Sequence, residues 1–200
     1  PWVVDATNLG REFQIPHILL LNDLEATGFG LEVLRPDELF TLNAGTPAPQ
    51  ANRALIAAGT GLGEAILFWD GARYVVAATE GGHCDFAPRN DTEIELLRFL
   101  KKRHEFADFE LILSGRGFRT LHEFLDPSIK HPTFDTPGAD PAPEITQLGL
   151  AGSCPVCVKA LAMFAEIYGA EAGNLALKCL ARGGVYVAGG IAVKILDKLR

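Results

Sequence analysis

The first strongly apolar stretch, Pro16-His17-Ile18-Leu19-Leu20-Leu21, is continuous and of strand length, which predicts a buried parallel strand. Asn22-Asp23 ends it, and Leu24, Leu31 and Leu34 then recur at helical spacing. Residues 1–35 therefore read as an α/β unit with Asp23 where a strand ends and a helix starts. Ligands of open α/β sheets collect at such strand ends, although Asn22 or Asp23 also suits a helix cap. Residues 36–53 carry Pro36, Pro47 and Pro49 around a short predicted strand at 40–43, and mark the domain boundary.

The next pattern is the densest in the chain. A buried-type run, Ala54–Ala58, enters Gly59-Thr60-Gly61-Leu62-Gly63. Two short apolar runs follow, joined by Asp70-Gly71, a two-residue hairpin signal. Beyond Asn90 or Asp91 as a cap, residues 92–104 predict a helix with Ile94, Leu97 and Leu100 on one face. Residues 109–113 predict a short strand interrupted by Glu110 and ended by Ser114-Gly115. Five prolines between residues 126 and 143 predict a long loop. Residues 153–182 read as one or two helices with Gly169 and Gly173 as break points. Residues 184–188 read as a buried strand entering Gly189-Gly190 and a last helix, an arrangement that suits an anion or simply a tight packing turn.

Composition narrows the class. The chain has 200 residues, 48% of them hydrophobic and 22% charged, as in an ordinary globular protein. The formal charge of −7, with no basic block to offset it, argues against a nucleic-acid partner. Neither a signal peptide nor an apolar run of spanning length is present, so no membrane is expected. Four cysteines make no disulfide framework at this length, and the reducing cytoplasm is the simpler reading.

The glycine cluster is not a nucleotide fingerprint of the common kinds. It lacks the G-x-G-x-x-G spacing and the G-K-[S/T] ending, and a hairpin follows it in place of a helix. What remains is a tight turn, either ordinary or one whose backbone N–H groups cup an anion. Glu80-Gly81-Gly82-His83 sets an acceptor-only carboxylate and an imidazole beside two residues without side chains, a combination that suits a polyhydroxylated ligand or a plain surface turn. Cys154-Pro155-Val156-Cys157 looks like a dithiol motif but lacks the preceding strand such motifs use. A zinc site requires two more ligands, and the scattered histidines offer none at suitable spacing. Two structural cysteines at a helix start is the reading adopted, with no metal.

Taken together, these motifs resemble bacterial-type glucokinase. The resemblance rests on Leu21-Asn22-Asp23, on Ala58 through Gly63, and on Glu80-Gly81-Gly82-His83-Cys84-Asp85-Phe86-Ala87-Pro88. It continues in Glu110 before Leu113-Ser114-Gly115 and in Val187-Ala188-Gly189-Gly190-Ile191. Ser153-Cys154-x-x-Cys157 and Gly173-Asn174-Leu175-Ala176-Leu177 are similar as well. The order is the family's, and it covers essentially the whole chain.

The resemblance implies an α/β protein of the actin-like ATPase (ribonuclease H-like) fold. On it, residues 1–35 are a remnant of the small N-terminal domain, and residues 36–200 are most of the large one. It implies transfer of the γ-phosphoryl of ATP to the 6-hydroxyl of glucose at the entry to glycolysis. Asp23 would be the general base, while Asn22, Glu80, His83 and Glu110 would bind the sugar. Gly59, Thr60, Gly61 and Gly63 would hold the phosphates, and Gly189 and Gly190 would line the adenosine pocket.

Two departures qualify it. The family's Asp-x-Gly-Gly-Thr-Asn motif, which helps to hold Mg²⁺ and the β- and γ-phosphates, falls outside the sequence, and so do the family's last helices. A sugar-sensing regulator, a silent paralogue or a kinase for another hexose stays open beside glucokinase. So do the phosphoryl donor, ATP or polyphosphate, and the oligomer, a homodimer among the options.

Overall fold

The computed structural model describes residues 3–200. Its centre is a four-stranded mixed sheet in the order β3-β2-β1-β4. The strands are β1 (Arg53–Ala58), β2 (Leu62–Trp69), β3 (Tyr74–Thr79) and β4 (Val185–Ala188). The first three form an antiparallel meander, with Ala58 opposite Leu62 and Trp69 opposite Tyr74. β4 returns from the far end of the chain and lies parallel to β1, pairing Ala57 with Ala188.

Period two along β1 builds the two sides of the core. Ala54, Ile56 and Ala58 point into the larger cluster, which contains Leu113, Phe118, Leu161, Phe164 and Tyr168. Leu55 points the other way, among Ala65, Leu67, Tyr74 and Val76, where Leu24 and Leu31 cover it. The second cluster is thus the sheet's contact with the N-terminal segment, and the first is its contact with the C-terminal helices.

The helices, in chain order, are α1 (Ala6–Phe13), α2 (Asp23–Gly30), α3 (Asp91–Lys101), α4 (Gly115–Leu125), α5 (Ala142–Leu150), α6 (Pro155–Cys179) and α7 (Gly189–Lys194). Cap chemistry sets several of the starts. Asp5 accepts from the Asn8 N–H at 2.8 Å, Asn22 from Leu24 at 2.7 Å, and Asn90 from Glu93 at 2.9 Å. Helix α1 has no counterpart in the sequence reading, because its apolar residues are few and none is buried.

Several expectations are corrected. Residues 16–21 form no strand, and Leu19 is 74% exposed. An apolar run becomes a strand only beside a partner, and among the described residues none pairs with it. Residues 40–43 are irregular for the same reason. The β2–β3 connection uses Asp70–Arg73, not two residues alone: the Asp70 N–H donates to the Arg73 carbonyl at 3.1 Å, and the Asp70 carboxylate takes the Ala72 and Arg73 N–H groups at 2.8 Å each.

The buried stripe of α3 is Glu93, Leu96 and Leu100, and Ile94 is exposed. Residues 109–113 are a helical turn, closed by Leu113 N–H on the Phe109 carbonyl at 2.8 Å. Burial of Phe109, Ile112 and Leu113 at helical spacing needs no partner strand. α6 runs unbroken for 25 residues through Gly169 and Gly173. Each glycine costs about 1 kcal/mol in a helix interior. Burying Phe164, Ile167 and Tyr168 on that helix gains about 1.5–3 kcal/mol apiece, so packing wins. β4, expected buried, is an edge strand with Val185 exposed. Among the described residues no single helix is long and apolar enough to cross a membrane.

Candidate functional site

The turn between β1 and β2 organises the site. The Gly59 N–H donates to the Gly61 carbonyl at 2.8 Å, and the Gly59 carbonyl accepts from Gly115 N–H at 2.8 Å. The hairpin tip is thereby fastened to the start of α4. Beneath it, the buried Tyr168 hydroxyl takes the Ala58 N–H at 3.0 Å and reaches the Ile56 carbonyl at 3.3 Å, tying α6 to β1. Burial pushes the Tyr168 phenol up, so it stays a neutral hydrogen-bonding group.

Two concavities meet at Gly59 and Thr60. The first is a cleft of about 420 Å³ bordered by Asn22, Asp23, Glu80 and Glu110, with Gly59–Gly63 and Gly189 on its floor and rim. Asn22 spends its side-chain oxygen on capping α2, which leaves its NH₂ to donate. One Asp23 oxygen accepts from Leu24 N–H at 2.9 Å, and among the described residues the other takes no hydrogen bond. That is the disposition of a carboxylate able to accept a further proton or hydroxyl.

Glu110 is held more firmly. It accepts from the Leu62 N–H at 3.1 Å and lies 3.6 Å from the Arg116 guanidinium. Its carboxylate packs against Gly61 so closely that a Cβ there would sit 2.5 Å from Oε2. A Cβ on Gly63 would overlap Leu24, so this glycine lets α2 approach the sheet. Gly61 and Gly63 thus serve close packing at the site, whereas Gly59 faces open space.

Of the five residues expected around a sugar, the cleft gathers Asn22, Asp23, Glu80 and Glu110; His83 is not on its lining. His83 follows Glu80 in a short 3-10 turn, and its Nδ1 lies 3.0 Å from Asp108 Oδ2. The Asp108 contact, then the Glu110 charge, raises its pKa. Half-exposed at the rim, it is positioned by Asp108, a partner that nothing in the sequence motif indicates.

The second concavity, about 490 Å³, shares Gly59 and Thr60. Its other walls are Gly115, Arg116, the 138–143 segment, Gly190 and Lys194. Gly190 therefore lines this cavity while its neighbour Gly189 lines the cleft. Arg116 and Lys194 were missed by the sequence reading. The only local signal was an Arg in the first turn of a helix opening with Gly-Arg-Gly.

A buried ionisable group beneath the Glu80–His83 turn was also missed. Glu64 is 1% exposed, and its carboxylate meets Gly81 so closely that any Cβ there would overlap it. Burial, then the neighbouring Glu171 carboxylate, pushes Glu64 up to about 7, with Lys178 opposing. Lys178 lies 3.0 Å from Glu171, which also accepts from Asn174 at 2.8 Å. A carboxyl in the middle of an apolar-looking strand carries no local mark of such partners.

Cys154 occupies the N-cap position of α6 without a side-chain capping bond and Cys157 lies in its first turn, the helix-start position expected, and both thiols are free. The expectation that the histidines stand apart from them is corrected. His131 Nε2 lies 3.3 Å from Cys157 Sγ and 3.7 Å from Cys154 Sγ, and His122 completes a group whose four ligand atoms all lie within 4.8 Å of one another. Burial pushes the Cys157 thiol up to about 12.

The whole chain, residues 1–200, matches the family model described as Glucokinase. Among curated relatives, the glucokinase of Nostoc sp. (strain PCC 7120) is 41% identical over 98% of this chain and 62% of its own length. Among solved structures, a glucokinase from an Antarctic psychrotroph superposes with a TM-score of 0.86 at 28% identity, over 98% of this chain and 60% of the other. A ROK family glucokinase from Streptomyces griseus, in complex with glucose and AMPPNP, shares the fold with a TM-score of 0.63 at 20% identity. The chain spans between 53% and 64% of the length of the most similar curated relatives.

Proposed function

The chain belongs to the glucokinase family, and from that premise we propose that it carries the sugar-binding and phosphoryl-transfer centre of an ATP-dependent glucose 6-kinase. Its α/β fold is part of the actin-like ATPase architecture shared with sugar kinases. The observation that carries the proposal is the shared border of the two cavities: the Gly59–Thr60 turn faces a carboxylate-lined cleft on one side and a cation-bearing cavity on the other. Phosphoryl transfer asks a protein mainly to hold donor and acceptor in line and to stabilise charge. A hydroxyl acceptor in the cleft and a nucleotide in the second cavity would meet at this turn.

In this reading Asp23 takes the proton of the sugar's 6-hydroxyl. Its unengaged oxygen is free to accept that proton, and its position at the start of α2 fixes its direction. Glu80 and Glu110 accept from the other hydroxyls, Asn22 donates through its amide, and His83 closes the rim. Acceptors of this kind select a sugar because an analogue lacking a hydroxyl leaves a buried acceptor unpaired. On the other side, the Gly59 and Thr60 backbone, Arg116 and Lys194 are donors and cations suited to phosphate oxygens. Mg²⁺, when bound with ATP, neutralises charge on the β- and γ-phosphates. Asp23, Glu80, Glu110 and Asp140 are the carboxylates of the two cavities, and none is assigned to the ion.

Residues 1–35 are proposed to belong to the small domain and residues 36–200 to the large one, with residues 1 and 2 lying outside those described. The exposed run at 16–21 and the irregular stretch before Arg53 support that division. The cytoplasm is the proposed location. The test is ATP-dependent phosphorylation by the full-length protein, with glucose, mannose and fructose compared and polyphosphate offered as the rival donor. Glucose 6-phosphate formed from ATP and glucose is the expected result. Sugar binding without turnover would point to a sensor in its place.

A further inference from the structure

We propose that His122, His131, Cys154 and Cys157 form a structural zinc site, which pins the proline-rich loop to the start of α6. The four ligand atoms already lie within 4.8 Å of one another. The two distances from His131 Nε2 to the sulfurs, 3.3 and 3.7 Å, bracket the roughly 3.5 Å edge of a tetrahedron with Zn–S near 2.3 Å and Zn–N near 2.0 Å. Two thiolates with two imidazoles is a standard closed ligand set for zinc, and its softness disfavours magnesium or calcium.

An independent observation points to the same ligand. His122 is fully buried, yet among the described residues neither of its ring nitrogens has a hydrogen-bond partner. A buried imidazole without partners is costly. A metal ion among these four groups would take up one nitrogen and give the buried position a reason. Aromatic contacts with Phe134 and His131 hold the ring edge-on, at centroid distances of 4.9 and 5.1 Å, so it is not free to swing out to water.

The ligands come from three separate segments: the last turn of α4, the loop after it, and the first turn of α6. One ion would therefore cross-link a loop that has little regular structure of its own. Further along, residues 138–143 of that loop form a wall of the larger cavity. The metal site stands whether or not that cavity binds nucleotide. Only its consequence for ATP rests on the proposed kinase reading.

The test begins with the full-length natural protein, purified without an affinity tag or chelator and analysed for metals by mass spectrometry. About one zinc per chain, retained through gel filtration, is expected. Exchange with cobalt should give the intense visible bands of a tetrahedral site and thiolate-to-metal charge transfer. X-ray absorption at the zinc edge should show two sulfur and two nitrogen scatterers. Cys157→Ser and His122→Ala should each lose most of the zinc, whereas C84S, at an exposed cysteine outside the cluster, should retain it. Should the cluster variants not fold, the cobalt and absorption spectra of the unaltered protein still decide. Less than a tenth of an equivalent of zinc after growth in zinc-supplemented medium would overturn the proposal, as would a Cys154–Cys157 disulfide or zinc bound with no sulfur ligand. ATP affinity is measured separately: a zinc-loaded protein with no ATP dependence would leave the metal site standing and remove the kinase reading.

Discussion

The two cavities that meet at Gly59–Thr60 differ in chemistry more than in size. The cleft is bordered by Asp23, Glu80 and Glu110, while the larger cavity holds Arg116 and Lys194 with a single carboxylate, Asp140. One side supplies acceptors for hydroxyls and the other supplies positive charge for an anion. A single hairpin turn separates them, and Glu110 and Arg116 face each other across it at 3.6 Å. On the proposed reading, the sugar and the nucleotide would be kept on opposite sides of two small residues. The arrangement predicts that substitutions on one side affect one substrate and spare the other.

The sharpest break of that comparison is Asp23→Asn in the full-length protein. Loss of the proposed general base should lower turnover by about 10²-fold or more, a barrier increase of at least about 2.7 kcal/mol, with glucose affinity changed far less. Asn22 supplies the cap of α2 and is untouched by this change, so the melting temperature should hold. Unchanged turnover would take Asp23 out of the mechanism.

Tyr168→Phe tests the shared floor. It leaves the buried Ala58 N–H without its acceptor and should cost about 1–3 kcal/mol in denaturant unfolding. If the turn is common to both cavities, the KM values for glucose and ATP should rise together.

Arg116→Ala and Glu80→Gln should separate the sides. The first should raise the KM for ATP by roughly five- to tenfold, the scale of about 1 kcal/mol for an exposed charge contact, and leave glucose binding alone. The second should raise the KM for glucose with little change in turnover. Equal effects of either variant on both substrates would break the comparison.

The smallest expected effect on either substrate is a pH dependence of stability. Glu64 sits at about 7 in the folded protein, above the ordinary 4.5. Below about 4.5 it is protonated in folded and unfolded chains alike, and the folded form suffers nothing. As pH rises from about 4.5 to about 7 the unfolded chain releases this proton while the folded chain still holds it, so stability falls across that window and the loss is complete once the folded carboxyl ionises as well. Glu64→Gln removes that loss. Relative to the unaltered protein it should gain stability from pH 5 to pH 8, by about 2–3 kcal/mol, in urea titrations at the two pH values. A constant difference would show that Glu64 does not titrate in this window.

Much of the site was legible because its signals are local. Asn22 caps α2 and Asn90 caps α3, since a side-chain oxygen two or three positions from orphan N–H groups has little else to do. The glycine turn and the Glu80–His83 turn are where the residues alone put them, and Asn22, Asp23, Glu80 and Glu110 border one cleft. His83 stands outside its lining because Asp108, from a distant segment, holds the ring at the rim.

What the sequence determined by itself is therefore the caps, the turns, the central hairpins and the family, all written in residue types and short spacings. The tertiary structure alone decided which distant groups share a space. It left the 16–21 run without a strand partner among the described residues, folded 109–113 as a helical turn, buried Glu64 beside Glu171, and brought His122 and His131 to two cysteines. The reason is physical. A cap or a turn is fixed by bonds that close over two to four residues, but a strand, a buried charge or a four-ligand cluster depends on partners supplied by segments far along the chain. Their meeting is set by the packing of the whole core.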